Sequence, residues 1–97
     1  MVDAHDSPER RFLGLCVRWR ADRTNAVAQL ELESLALSSD FVSELIALYE
    51  DALVGRELSP AEAKALCQHA LELAERHLGD DPQTKWLRRH LTVLDHG

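Results

Sequence analysis

The chain has 97 residues and a formal net charge of −6, with 45% hydrophobic but only 5% aromatic residues. A chain this long buries roughly 60–70% of the surface its unfolded form exposes, enough for one aliphatic core but not for a deep enclosed catalytic pocket. The acidic balance argues against a general nucleic-acid binder, which needs a basic footprint.

The charge is uneven. Residues 1–23 carry five Arg against four acids, residues 24–63 carry Arg56 alone against eight acids, and residues 64–97 balance at five and five. The acidity belongs to the middle, and either end can still present a local basic patch.

Met1 to Asp6 is polar and patternless and reads as a frayed terminus. Ser7-Pro8 then opens a helix, Ser as N-cap and Pro at the first helical position. Phe12, Leu15, Cys16 and Trp19 follow at i, i+3, i+4 and i+7, one face of that helix. Leu13 and Val17 widen the apolar surface and predict cover on two sides, while Arg11 and Arg18 share a different face.

Asp22 to Asn25 breaks the pattern and offers caps for a second helix, whose predicted buried stripe is Ala26, Val27, Leu30, Ser34 and Leu37. Leu30 to Glu33 alternates with period two. Ala, Gln, Leu and Glu nonetheless favour helix, and no partner strand exists. Asp40 is the predicted cap of a third helix with Phe41, Leu45, Leu48, Tyr49 and Ala52 buried, flanked by Val42, Ile46 and Leu53. Glu44, Glu50 and Asp51 should face water.

Ser59-Pro60-Ala61-Glu62 is a capping box with Pro at the first turn. It opens a helix whose buried face is predicted as Leu66, Ala70, Leu73, Ala74 and Leu78. Gly79 suits the left-handed position after the last turn. Asp80 or Asp81 caps a fifth helix that starts at Pro82, with Trp86, Leu87, Leu91 and Leu94 on its apolar side and Lys85, Arg88, Arg89 and Thr92 opposite. The expectation is an all-α fold: one domain over residues 1–97, a small bundle of four to five antiparallel helices joined by short turns.

His69-Ala70-Leu71-Glu72-Leu73-Ala74-Glu75-Arg76-His77-Leu78-Gly79-Asp80-Asp81-Pro82-Gln83-Thr84 resembles the second helix and following turn of a tetratricopeptide unit, of the longer-repeat variety found in kinesin light chains. Residues 47–53 have a similar local character. The resemblance implies a helical-hairpin scaffold that binds peptides or proteins. The chain departs from the family in two respects: Leu53 and Leu71 are 18 residues apart, one helix-plus-loop step, and the Trp, Leu-Gly and Tyr pattern of the first helix is missing.

The chemistry-bearing residues form no catalytic or metal-ligating set. Cys67 and His69 point about 200° apart on one helix. His69 and His77 are separated by more than two turns, and there is no HExxH, Glu-x-x-His or CxxC. Serines and threonines sit mainly at caps, carboxylates on polar faces, and no Gly-rich phosphate loop exists. No catalytic residue, metal or cofactor is expected. Cys16 and Cys67 lie singly in apolar patterns without a secretory segment or a span of about 20 apolar residues, which predicts two reduced cysteines in a cytoplasmic protein with no membrane partner.

The expected function is a non-catalytic protein-interaction module, an adaptor, regulator or assembly factor, working by helix-face docking. Surplus Leu predicts a homo-oligomer as well. The expected partner-binding residues are Trp86, Lys85, Arg88 and Arg89 on the fifth helix, Trp and Arg being frequent interface anchors, with an acidic protein surface as partner. Whether Trp19 and Trp86 are core or interface stays open at this level. The alternative is a DNA-binding transcriptional regulator using the basic face of that helix. Against it, the preceding helix is long for a helix-turn-helix and the fifth lacks an Asn/Gln/Arg set aimed at base edges.

Overall fold

The computed structural model describes residues 7–55 and 58–96. The expected frayed segment 1–6 and the connection through Arg56 and Glu57 lie outside them. Among the described residues the chain is all-α, with five helices and no strand: α1 Pro8–Ala21, α2 Ala26–Ser39, α3 Val42–Val54, α4 Pro60–His77 and α5 Pro82–His96. They form two compact units, α1 and α2 up to Phe41, and α3, α4 and α5 from Val42 onward.

In the first unit α1 and α2 pack as an antiparallel hairpin. Ser7 caps α1, its Oγ accepting from the Arg10 amide at 3.3 Å, a cap worth about 1 kcal/mol. Phe12, Leu15, Cys16 and Trp19 are buried, the face expected from their spacing. Trp19 is 1% exposed and is therefore core, with the Arg23 guanidinium 5.6 Å from its ring centroid. Leu13 and Val17 are exposed, so α1 is not covered on two sides.

Asn25 caps α2, its Oδ1 accepting from the Ala28 amide at 3.1 Å. The buried face of α2 is Ala28, Leu32, Leu35 and Ala36, not the predicted stripe. Val27, Leu30 and Leu37 are exposed, as are Ala26 and Ser34. The helix is apolar nearly all round, so its periodicity offers two competing faces and packing takes the narrower one, where alanines allow close approach. Asp40 closes α2 rather than opening α3. It adopts φ 60°, and the next amide, Phe41, donates to the Ala36 carbonyl at 2.8 Å. Phe41 is half-buried and belongs to this unit, its ring 5.3 Å from that of Phe12.

In the second unit each of the three helices packs on the other two. Val42, Leu45, Ile46, Leu48, Tyr49, Ala52 and Leu53 of α3 are buried. The capping box of α4 is complete: the Glu62 amide donates to Ser59 Oγ at 3.2 Å and the Ser59 amide to Glu62 Oε1 at 3.1 Å. Ala63, Cys67, Ala70, Leu73 and Ala74 are its buried face, while Leu66 and Leu78 are only half-buried. Gly79 takes φ 65° and donates its amide to the Ala74 carbonyl at 3.0 Å, a conformation that penalises any Cβ. Asp81 caps α5, accepting from the Gln83 amide at 2.9 Å.

Two contacts fix α5 in this unit. Ser43 Oγ donates to Gln83 Oε1 at 2.8 Å while Gln83 Nε2 donates to the Ser43 carbonyl at 3.0 Å, joining the start of α3 to the start of α5. Deeper in, Cys67 Sγ donates to the Leu87 carbonyl at 3.5 Å. Leu87 and Thr84 are the fully buried residues of α5.

Candidate functional site

The expected docking residues all lie on α5, and the structure divides them. Burial of Thr84 and Leu87, with Leu91 and Leu94 half-buried, sets the inner side of the helix. Trp86 is half-buried on the outer side, its indole stacked on the His90 imidazole with centroids 4.7 Å apart and planes inclined by 10°. Together with Arg89 and Val93 the pair lines an open groove of about 260 Å³. Val93 is 64% exposed, a β-branched side chain left in water beside an aromatic stack.

Lys85 and Arg88 are placed elsewhere. Arg88 reaches across to α4, its Nη2 2.9 Å from Glu75 Oε2, and Lys85 Nζ lies 4.0 Å from Asp80 Oδ1. Lys64 of α4 pairs in turn with Asp95 of α5 at 2.6 Å. Arg89 makes no ion pair or side-chain hydrogen bond among the described residues. The four residues therefore split into an aromatic groove with one available cation, Trp86 and Arg89, and two cations already opposed by acids. Trp86, Arg89, His90 and Val93 follow i, i+3, i+4 and i+7, so the periodicity held the signal. His90 and Val93 were missed because neither is conspicuous without Trp86 as the reference position.

Two polar groups in this unit are sheltered, Glu50 against expectation. Glu50, predicted to face water, is half-buried and its Oε1 has no hydrogen-bond partner among the described residues. Burial, then the negative charges of Asp81 and Asp51, push its carboxyl above the ordinary value. Thr84 is fully buried and its Oγ1 is likewise unpartnered among the described residues. Burial also pushes the Cys67 thiol up to about 11, which suppresses the thiolate needed for nucleophilic or redox chemistry. Cys16 is raised for the same reason, partly offset by Arg20, and neither cysteine is in a disulfide. His69 stands 6.3 Å from the Tyr49 ring. Among the described residues no group of three or more His, Cys, Asp or Glu is placed to hold a metal ion, and no helix is long and apolar enough to cross a membrane.

No protein-family model, curated protein or solved structure matches this chain.

Proposed function

We propose that this protein is a non-catalytic interaction module that docks a partner protein on the outer face of α5. The observation that carries this reading is the Trp86–His90 stack flanked by Arg89 and Val93. An aromatic half out of water, a β-branched neighbour and a guanidinium unpaired among the described residues are the ingredients of an interface anchor. Apolar contact with Trp86 and Val93 supplies affinity, and Arg89 orients an acidic side chain of the partner. The resemblance of residues 69–84 to a tetratricopeptide turn supports a hairpin scaffold of this kind, since that segment forms the end of α4, the Gly79 turn and the start of α5.

The DNA-binding alternative draws less support. Of the three cations of α5, Arg88 and Lys85 face Glu75 and Asp80, which leaves Arg89 as the one cation of this helix, among the described residues, without an acidic neighbour.

The test is a quantitative pull-down with and without nuclease, comparing the unaltered chain with Trp86→Ala/Arg89→Glu and with Lys85→Ala/Arg88→Ala. A protein recovered near one-to-one by the unaltered chain and the second variant, but lost with the first, supports groove docking. Equal recovery by all three chains overturns it, and recovery that disappears on nuclease treatment moves the function to nucleic acid.

A further inference from the structure

The first unit presents two apolar stripes to water, one on the outer side of each helix of its hairpin. On α2, Val27 and Leu30 are 64% and 67% exposed and Leu37 is 47% exposed, with the exposed Ser34 between them. On α1, Leu13 and Val17 are 64% and 67% exposed, and Gly14 and Ala21 beside them are exposed too. Each stripe follows helical spacing and lies opposite the buried face of its own helix. Those faces are Phe12, Leu15, Cys16 and Trp19 on α1, and Ala28, Leu32, Leu35 and Ala36 on α2. Both helices have 14 residues, about 21 Å, so the two are matched in length. At Gly14 a Cβ would meet nothing within 4 Å, which leaves bare backbone on the outer side of α1, open to close approach.

The charges bordering the two stripes are opposite in sign. α1 carries four Arg against Glu9, whereas α2 carries Glu31 and Glu33 and no cation. At about 100° per residue, Arg11 and Arg18 border the α1 stripe on one side and Arg20 borders it on the other. Glu31 and Glu33 border the α2 stripe in the same way, one on each side. Within the hairpin, Arg11, Arg18 and Glu31 line one groove of about 280 Å³. Among the described residues no ion pair or side-chain hydrogen bond engages these three. The α2 face thus fits an amphipathic helix with an apolar stripe and basic flanks. α1 of a second copy is such a helix, with that face exposed.

We infer that copies of the chain associate head to tail, the outer stripe of α1 in one copy packing on the outer stripe of α2 in the next. Pairing of like faces would bury the same apolar groups, but it would set Arg against Arg or Glu against Glu. Only the unlike pairing opposes acids to bases on both flanks. The contact is heterologous: the two outer stripes of one hairpin face away from each other, so each contact leaves an α1 stripe free at one end and an α2 stripe at the other. Assembly therefore continues past the dimer as concentration rises. The inference is independent of the α5 reading.

The test is sedimentation equilibrium on the full chain from low to high micromolar concentration, with far-UV circular dichroism confirming the fold of each variant. The unaltered chain is expected to give an average mass that climbs beyond the dimer. Val17→Glu blocks the α1 stripe and Leu30→Glu the α2 stripe, and each alone is expected to weaken association at least about tenfold. Their equimolar mixture is the decisive sample. Each variant keeps the face that the other lacks, so the mixture should form a one-to-one dimer and stop there. Should either Glu variant fail to fold, Val17→Gln and Leu30→Gln ask the same question with a milder change. A chain that stays monomeric throughout the range overturns the inference and leaves both stripes to other proteins. Loss of association with only one of the two variants overturns it in favour of a contact between like faces, and a mixture no more associated than its components overturns it as well. Trp86→Ala lies outside both stripes and should assemble like the unaltered chain, so failure here and failure of α5 docking are read separately.

Discussion

Arg88 on α5 and Glu75 on α4 meet side on, Nε at 3.2 Å and Nη2 at 2.9 Å from the same carboxylate oxygen. Both groups of one guanidinium edge converge on Oε2, yet both side chains remain about half exposed. Water therefore screens the pair, and exposed pairs of this kind contribute about 0–1 kcal/mol. Arg88→Ala is expected to lower unfolding free energy by less than about 1 kcal/mol in urea melts, with the difference shrinking as salt is added. A loss well beyond that range would mean the pair is more sheltered than its exposure indicates.

Thr84 is the clearest energetic liability of the second unit. Its hydroxyl is fully buried without a partner, and an unsatisfied buried polar group costs about 1–3 kcal/mol. Thr84→Val keeps the shape and the helix propensity while removing the oxygen. The expected gain is about 1 kcal/mol, read as a higher urea midpoint at unchanged m-value. No gain would show that the hydroxyl is satisfied in solution.

Glu50 sets the sign of one pH effect. Burial, Asp81 and Asp51 raise its folded-state pKa above the ordinary 4.5, so the folded state holds the proton more tightly than the unfolded chain. Its contribution to stability is fully present below about pH 4.5 and is lost as pH rises through the raised folded value. Glu50→Gln, which cannot ionise, should therefore be more stable than the unaltered chain at pH 7, with the advantage narrowing at pH 4. Paired denaturation curves at the two pH values check this, and an advantage that grows on acidification would contradict it. Glu62 runs the other way. Its hydrogen bonds with Ser59 lower its pKa, so its contribution is present above the unfolded value and fades as pH falls through the folded one.

Cys67 is expected to be chemically silent in the folded protein. It is fully buried, its thiol donates to the Leu87 carbonyl, and its pKa is pushed up to about 11. At pH 8 a soluble disulfide reagent should modify it only through opening of the second unit, far more slowly than a free thiol, and readily in denaturant. Mass spectrometry after timed quenching resolves Cys67 from Cys16. Prompt labelling of Cys67 in the native protein would show that α4 and α5 separate easily.

Legibility differed sharply between features. Ser7, the Ser59–Glu62 box and Gly79 were readable, and Asn25 and Asp81 were among the caps on offer, because a cap is a contact between residues at most a few positions apart. The buried face of α1 was readable because Phe12, Leu15, Cys16 and Trp19 follow one helical stripe, but the exposure of Leu13 and Val17 was not. α2 was misread for the opposite reason: Val27, Leu30 and Leu37 compete with Ala28, Leu32, Leu35 and Ala36, and no charge breaks the tie. Phe41 and Asp40 were assigned to the start of α3, whereas Asp40 closes α2 and Phe41 packs on Phe12. On α5 the identity of the helix and its basic residues were apparent, but not that Arg88 is engaged by Glu75 while Arg89 stands beside Trp86.

The sequence by itself determined the all-α class, a count of four to five helices and most of their ends, because these depend on propensity and capping within a few residues of chain. Only the tertiary structure decided which apolar stripe of α2 is buried, that Glu50 and Thr84 are sheltered without partners, and which cation of α5 remains available. Those outcomes depend on groups brought together from other helices, and helical periodicity carries no record of which neighbour will arrive on which side.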